Sequence, residues 1–187
     1  GEEMGLLGSN YFTKNPTIDL SKVNYMLNLD MVGRLRENKT LSITGTGTSP
    51  IWNQVLNATN TDFKLVLGES GVGPSDHTSF YLQNIPVLHF FSGQHEDYHK
   101  PSDDSDKLNY QGMRQIQEYI EAVILELNNS SRLAFLKMKA KKCRCLKLHW
   151  VLCPIIFLME KECVSTASQT IDQQQWQASK KGMLLFN

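Results

Sequence analysis

Short apolar runs of strand character alternate along the chain with stretches whose apolar positions recur at helical spacing. Val23 to Leu29 predicts a strand that stops at Asp30 and is buried on both faces near its end. Met31-Val32-Gly33-Arg34 turns away from it. Leu41-Ser42-Ile43 predicts a second strand, ended by Gly45-Thr46-Gly47-Thr48. Phe63 to Leu67 predicts a third and Ile85 to Phe91 a fourth. Residues 5–14 predict a short helix with Leu6, Leu7 and Tyr11 on its inner side. Ser49 and Pro50 predict a helix start, as cap and first-turn residue, ahead of Ile51, Trp52, Val55 and Leu56. A glycine-rich stretch over 68–74 leads to Ser75-Asp76-His77-Thr78-Ser79-Phe80, the start of another short helix. After a loop over 92–106, residues 110–128 predict a long amphipathic helix, with Met113, Ile116, Ile120, Val123, Ile124 and Leu127 at helical spacing. Strands alternating with helices predict an α/β layer fold.

Composition divides this pattern into two pieces. The formal net charge of +0 over 187 residues conceals an acidic part, 1–128, with 9 Lys+Arg against 16 Asp+Glu. The rest, 129–187, holds 10 against 3, and all four cysteines (Cys143, Cys145, Cys153, Cys163). The expected organisation is a domain over 1–128, a linker over 129–141 and a chemically different tail over 142–187. No nucleic-acid partner is expected. The apolar run from Leu148 to Leu158, broken by His149 and Pro154, falls short of the roughly 20 residues needed to span a bilayer. The first residues read as the interior of a domain rather than a leader. Cys143-x-Cys145 has no second pair and is a weak metal signal.

The candidate chemistry begins with Glu2-Glu3. Adjacent residues cannot share one face of a helix or strand, but in a loop one carboxylate can bind a metal while its neighbour handles water. Glu2, Glu3, Asp30 and His99 all stand where helices or strands run into loops, the place where ligands collect in α/β sheets. Oxygen and imidazole donors without cysteine suit catalytic zinc. Singly, each has a plain explanation: a solvated acidic pair, a strand-end cap, a surface histidine. His77 and His89 read as core and supporting residues rather than ligands.

Four stretches carry a resemblance: Glu2-Glu3-Met4-Gly5-Leu6-Leu7-Gly8-Ser9, Asn28-Leu29-Asp30-Met31-Val32-Gly33-Arg34, Gly73-Pro74-Ser75-Asp76-His77-Thr78-Ser79-Phe80 and Asp97-Tyr98-His99-Lys100-Pro101-Ser102-Asp103-Asp104. Together, and in this order, they resemble the two-zinc aminopeptidases of peptidase family M28 over residues 1–128. The resemblance implies a three-layer α/β/α sandwich around a mixed sheet and hydrolysis of N-terminal residues from peptide substrates. It implies Glu2 as general base and acid, Glu3 and His99 as ligands of one zinc, and Asp30 as ligand of the other. It places Asp76, His77 and Tyr98 in the substrate pocket or in support of the site. It also implies an exported protein, periplasmic or extracellular; oligomeric state is not implied.

The family's site further requires a histidine and a zinc-bridging aspartate upstream of the Glu-Glu pair. The expectation is therefore a C-terminal portion of a peptidase domain, inactive by itself. Two other readings compete: a glutaminyl-cyclase-like acyltransferase with one zinc, and a non-enzymatic ectodomain of the transferrin-receptor kind. The Tyr98 to Asp103 run looks like the peptidase branch, and retention of Glu2, Glu3, Asp30 and His99 argues against the receptor reading. For the tail, some family members carry a PDZ domain after the peptidase domain. Back-translating 142–187 and shifting the frame by one base permits a PDZ-like sequence. The expectation is an out-of-frame tail, disordered or poorly packed.

Overall fold

Val87-Leu88-His89-Phe90-Phe91 is β-branched or aromatic at most positions, and it becomes the most deeply buried strand of a mixed sheet. The structure is a computed structural model and describes residues 1–128 and 130–138. The sheet comprises β1 (Met26–Asp30), β2 (Thr40–Thr44), β3 (Lys64–Gly68) and β4 (Val87–Phe91), in the spatial order β1-β4-β2-β3. β1 runs parallel to β4 and β2 parallel to β3, while β2 and β4 are antiparallel. The helices are α1 (Leu7–Lys14), α2 (Trp52–Thr59), α3 (His77–Tyr81) and α4 (Tyr110–Asn128).

Strand alternation explains the layers. Leu41 and Ile43 of β2 and Leu88 and Phe90 of β4 are fully buried in one core with α2 and α4. Trp52, Val55 and Leu56 meet Ile116, Tyr119, Ile120, Val123 and Leu127 there, and the Tyr119 hydroxyl donates to the Leu56 carbonyl at 2.9 Å. Each large side chain so buried contributes about 1.5–3 kcal/mol. His89 points the other way, against α3, where it stacks on His77. α1 docks on α3 through Ser9 and Ser79, whose hydroxyls lie 2.9 Å apart, and through Phe12 and Phe80, ring centroids 5.9 Å apart. The three-layer α/β/α sandwich around a mixed sheet is confirmed.

Thr48 fastens β4 to the turn after β2. Its buried hydroxyl accepts from the Val87 amide at 3.0 Å and the Trp52 indole at 3.1 Å. It also lies 2.7 Å from the Gly45 carbonyl and 3.0 Å from the Val87 carbonyl, between which its single proton is shared.

Several expectations need correction. β1 is an edge strand, so it is half-open rather than buried on both faces, and Leu29 is 49% exposed. Leu7 and Tyr11 are exposed, not inward; Ser9, Phe12 and Thr13 form the stripe that meets the body, because α1 packs sideways on α3. Ser49 does not cap α2: Ile51 occupies the cap position without a side-chain bond, and the buried Ser49 hydroxyl has no protein partner. The compact unit runs from Gly1 to Met138, past the boundary expected at 128. Leu133 is buried, its amide donating to Asn24 Oδ1 at 2.8 Å, and the Leu136 amide donates to the Thr48 carbonyl at 2.8 Å. Residues 130–138 thus pack on the body through these contacts. The tail expected over 142–187 lies outside the described residues.

Candidate metal and catalytic site

A tight turn sets the two glutamates. The Gly5 and Leu6 amides both donate to the Glu2 carbonyl at 2.9 Å, with Gly5 at φ 93° and Leu6 at φ 61°. Glycine takes that conformation at little steric cost. Glu3 Oε2 then lies 3.5 Å from His99 Nε2. His99 sits in a loop at φ 57°, its ring 4.0 Å from that of Tyr98, which is half-buried.

Asp30 ends β1 beside the end of the parallel strand β4, where ligands gather in such sheets. Its Oδ2 is 3.5 Å from His89 Nε2. The nearby His89 imidazole chiefly holds the Asp30 carboxyl below its ordinary range; partial burial opposes it, and the Ser75 hydroxyl helps. His89 Nδ1 lies 3.3 Å from Thr44 Oγ1. Behind it, the His77 ring stacks at 4.5 Å and is fully buried, with neither nitrogen hydrogen-bonded to protein. Burial first, and His89 second, push the His77 imidazolium down to about 3. His77 therefore backs the site rather than lining an open pocket. Asp76, half-buried at the head of α3, keeps one oxygen buried and unpartnered.

Glu2 stands in the field of this group. Its carboxyl pKa is raised, first by burial and then by Glu3, Asp30 and Asp76, with His89 opposing. A carboxyl moved upward among other acids is better suited to accept and return a proton than an ordinary one.

Zinc bonds to oxygen and nitrogen are about 2.0–2.1 Å, so two donors of a tetrahedral ion sit roughly 3.3–3.4 Å apart. The 3.5 Å between Glu3 and His99 fits such a pair of legs. Among the described residues, no three His, Cys, Asp or Glu side chains converge to hold an ion. The carboxylates of Glu3 and Asp30 and the imidazole of His99 are donors of the kinds that hold zinc.

Sequence reasoning named Glu2, Glu3, Asp30, His99, Asp76, His77 and Tyr98, and read His89 as core or support. It missed the close approach of His89 to Asp30; the available signal was one imidazole in the otherwise apolar strand 87–91. It also passed over Arg34, which binds Asp97 and Asp103 across the loop that carries His99.

A mixed α/β sheet with Asp30 at a strand end, and Glu2, Glu3 and His99 in loops, suits a metal-dependent hydrolase. Residues 1–124 match the sequence pattern of peptidase family M28, and the chain belongs to that family. Among solved structures it is similar to the LapA aminopeptidase of Legionella pneumophila, at 23% identity and a TM-score of 0.55, over 68% of this chain and 37% of that one. It is similar to BSAP, a zinc aminopeptidase from Bacillus subtilis, at 22% identity and a TM-score of 0.55, over 74% of this chain and 37% of that one. LapB from Legionella pneumophila, at 18% identity and a TM-score of 0.57, is matched over 70% of this chain and 38% of its own. At these identities the likeness shows the fold. A search of curated proteins found no match. The chain thus spans 37–38% of the length of these structures.

Proposed function

We propose that the chain supplies part of the active site of a zinc-dependent aminopeptidase that removes N-terminal residues from peptides. The observation that carries this reading is the Glu3–His99 pair, 3.5 Å apart, next in sequence to Glu2, whose carboxyl pKa is raised by burial and neighbouring acids. When bound, zinc would polarise the scissile carbonyl and lower the pKa of the attacking water toward ~7. Glu3 and His99 would hold one ion and Asp30 a second. His89 orients Asp30, and His77 backs His89. Glu2 takes a proton from the attacking water and returns it to the leaving amine. Asp76 and Tyr98 border the substrate. An exported protein acting on extracytoplasmic peptides is the setting that goes with this reading.

Zinc sites ordinarily use three or four protein donors. With two at one position and one at the other, the chain alone holds zinc weakly and does not turn over amino-acid anilides. In an active full-length enzyme, Glu2→Gln should keep the metal and lower kcat by about 10²–10⁴-fold, the usual weight of general acid–base catalysis. Glu3→Ala and His99→Ala should lose metal as well as rate. Unchanged turnover in Glu2→Gln would remove Glu2 from the chemistry.

A further inference from the structure

We propose that Arg34 is a positioning residue that fixes the loop carrying His99 to the turn that follows Asp30, and so sets where His99 stands relative to Asp30. The purpose of this tether rests on the zinc reading above; its geometry does not.

Arg34 lies four residues after Asp30, at the end of a compact turn with Met31 at φ 51° and a 3-10 segment over Val32–Arg34. Such a short, folded connection leaves Arg34 little freedom to move away from Asp30. Its Nη2 donates to Asp97 Oδ2 at 3.1 Å and to Asp103 Oδ1 at 2.7 Å. These acids stand on either side of His99 in the sequence, so one guanidinium brackets it. The same turn holds both ends of the loop. The Ser92 hydroxyl donates to the Met31 carbonyl, and the Asn109 amide donates to the Gly33 carbonyl at 2.9 Å. Ends and middle are therefore fastened to one five-residue stretch, Asp30 to Arg34.

The loop has reason to need a fastening. His99 is a non-glycine residue at φ 57°, a conformation that persists where the surroundings determine it. Within the loop, the Tyr98 amide donates to the His95 carbonyl at 3.2 Å, the Lys100 amide to the Asp97 carbonyl at 2.8 Å and the Asp103 amide to the Lys100 carbonyl at 3.1 Å. Asp97 also accepts from Lys107 Nζ and Ser102 Oγ, each at 2.7 Å. Those bonds lie within the loop segment and survive loss of Arg34. Removing the guanidinium should thus free the middle of the loop, while Ser92, Gln94 and Asn109 still hold its ends to residues 31–36. The Arg34 side chain is only 17% exposed, so the tether is shielded from solvent more than an ordinary surface pair. Both bonds come from the one nitrogen Nη2, so lysine can place a charge there, on a differently shaped side chain.

Residue-resolved amide exchange on the full 187-residue chain tests the tether without any metal. Arg34→Met and Asp103→Asn should speed exchange at Tyr98, Lys100 and Asp103 by about tenfold, with α2 and α4 amides unchanged; Arg34→Lys should fall between. Unchanged exchange in both variants overturns the proposal. Asp103→Asn and Arg34→Lys keep the test available if Arg34→Met fails to fold. A Zn²⁺ titration read at the His99 ring by NMR tests the positioning role: Arg34→Met should weaken binding by about tenfold, the low end for groups that support a ligand, with recovery in Arg34→Lys. Faster exchange with unaltered zinc affinity overturns the positioning role. Faster exchange in the variants, together with a wild-type His99 that never responds to Zn²⁺, upholds the tether and overturns the zinc reading instead.

Discussion

Mild acid should destabilise this domain through His77. The ring is fully buried, neither nitrogen has a protein hydrogen-bond partner, and the imidazolium is pushed from 6.5 down to about 3. A depressed folded-state value means that the stabilising contribution is present above pH 6.5 and is lost as pH falls toward 3. Between pH 6.5 and 4.5 the unfolded chain takes up the proton and the folded chain does not, which costs about 2 kcal/mol. Continuing toward pH 3 raises the loss to roughly 4–5 kcal/mol. The upper window is the informative one, because Asp30 and Asp97, both held low in the fold, begin to contribute their own acid sensitivity below about pH 4. Urea unfolding at constant ionic strength, followed by circular dichroism at half-unit pH steps, gives the slope. His77→Phe keeps a stacked ring against His89 but cannot bind the proton, so its slope over pH 6.5–4.5 should be flatter by about 1 kcal/mol per pH unit. Equal slopes in wild type and His77→Phe would refute the reasoning, because the proton uptake would then belong to another group.

Thr48→Val should cost about 3 kcal/mol in urea unfolding, since one shared donation is lost and the Val87 amide and Trp52 indole are left buried without an acceptor. Thr48→Ser keeps the hydroxyl and should cost only about 1 kcal/mol for the missing methyl; equal costs for the two variants would assign the effect to packing. Glu2→Gln, with metal retained and turnover lowered, completes the set and is read by zinc content together with kcat.

Elements whose signal is local were legible in the chain. The helix over 110–128 was bounded correctly because its apolar spacing is long and regular. The fourth strand was recognised because β-branched and aromatic residues crowd into it. What depended on neighbours was not legible. The burial of β1 is decided by its place at the sheet edge, which the run Val23 to Leu29 does not encode. The inner face of α1 depends on α3, about 70 residues away, so Leu7 and Tyr11 looked as well suited to the interior as Phe12. Thr48 rather than Ser49 holds the start of α2, a choice made by the approach of Val87. At the site, Glu2, Glu3, Asp30 and His99 were named from motif and position. The Arg34 bonds to Asp97 and Asp103 join residues 63 and 69 apart and follow only from the fold.

The most direct measurement is a Zn²⁺ titration of the 187-residue chain followed at each histidine ring by NMR. Reading rings rather than total uptake separates this site from Cys143 and Cys145. The account predicts a weak, saturable response at His99, little response at the buried His77, a loss of affinity of tenfold or more in Glu3→Ala, and no loss in Glu2→Gln. A His99 ring that ignores zinc, or that binds it equally well without Glu3, would contradict the assignment of these two residues to one ion.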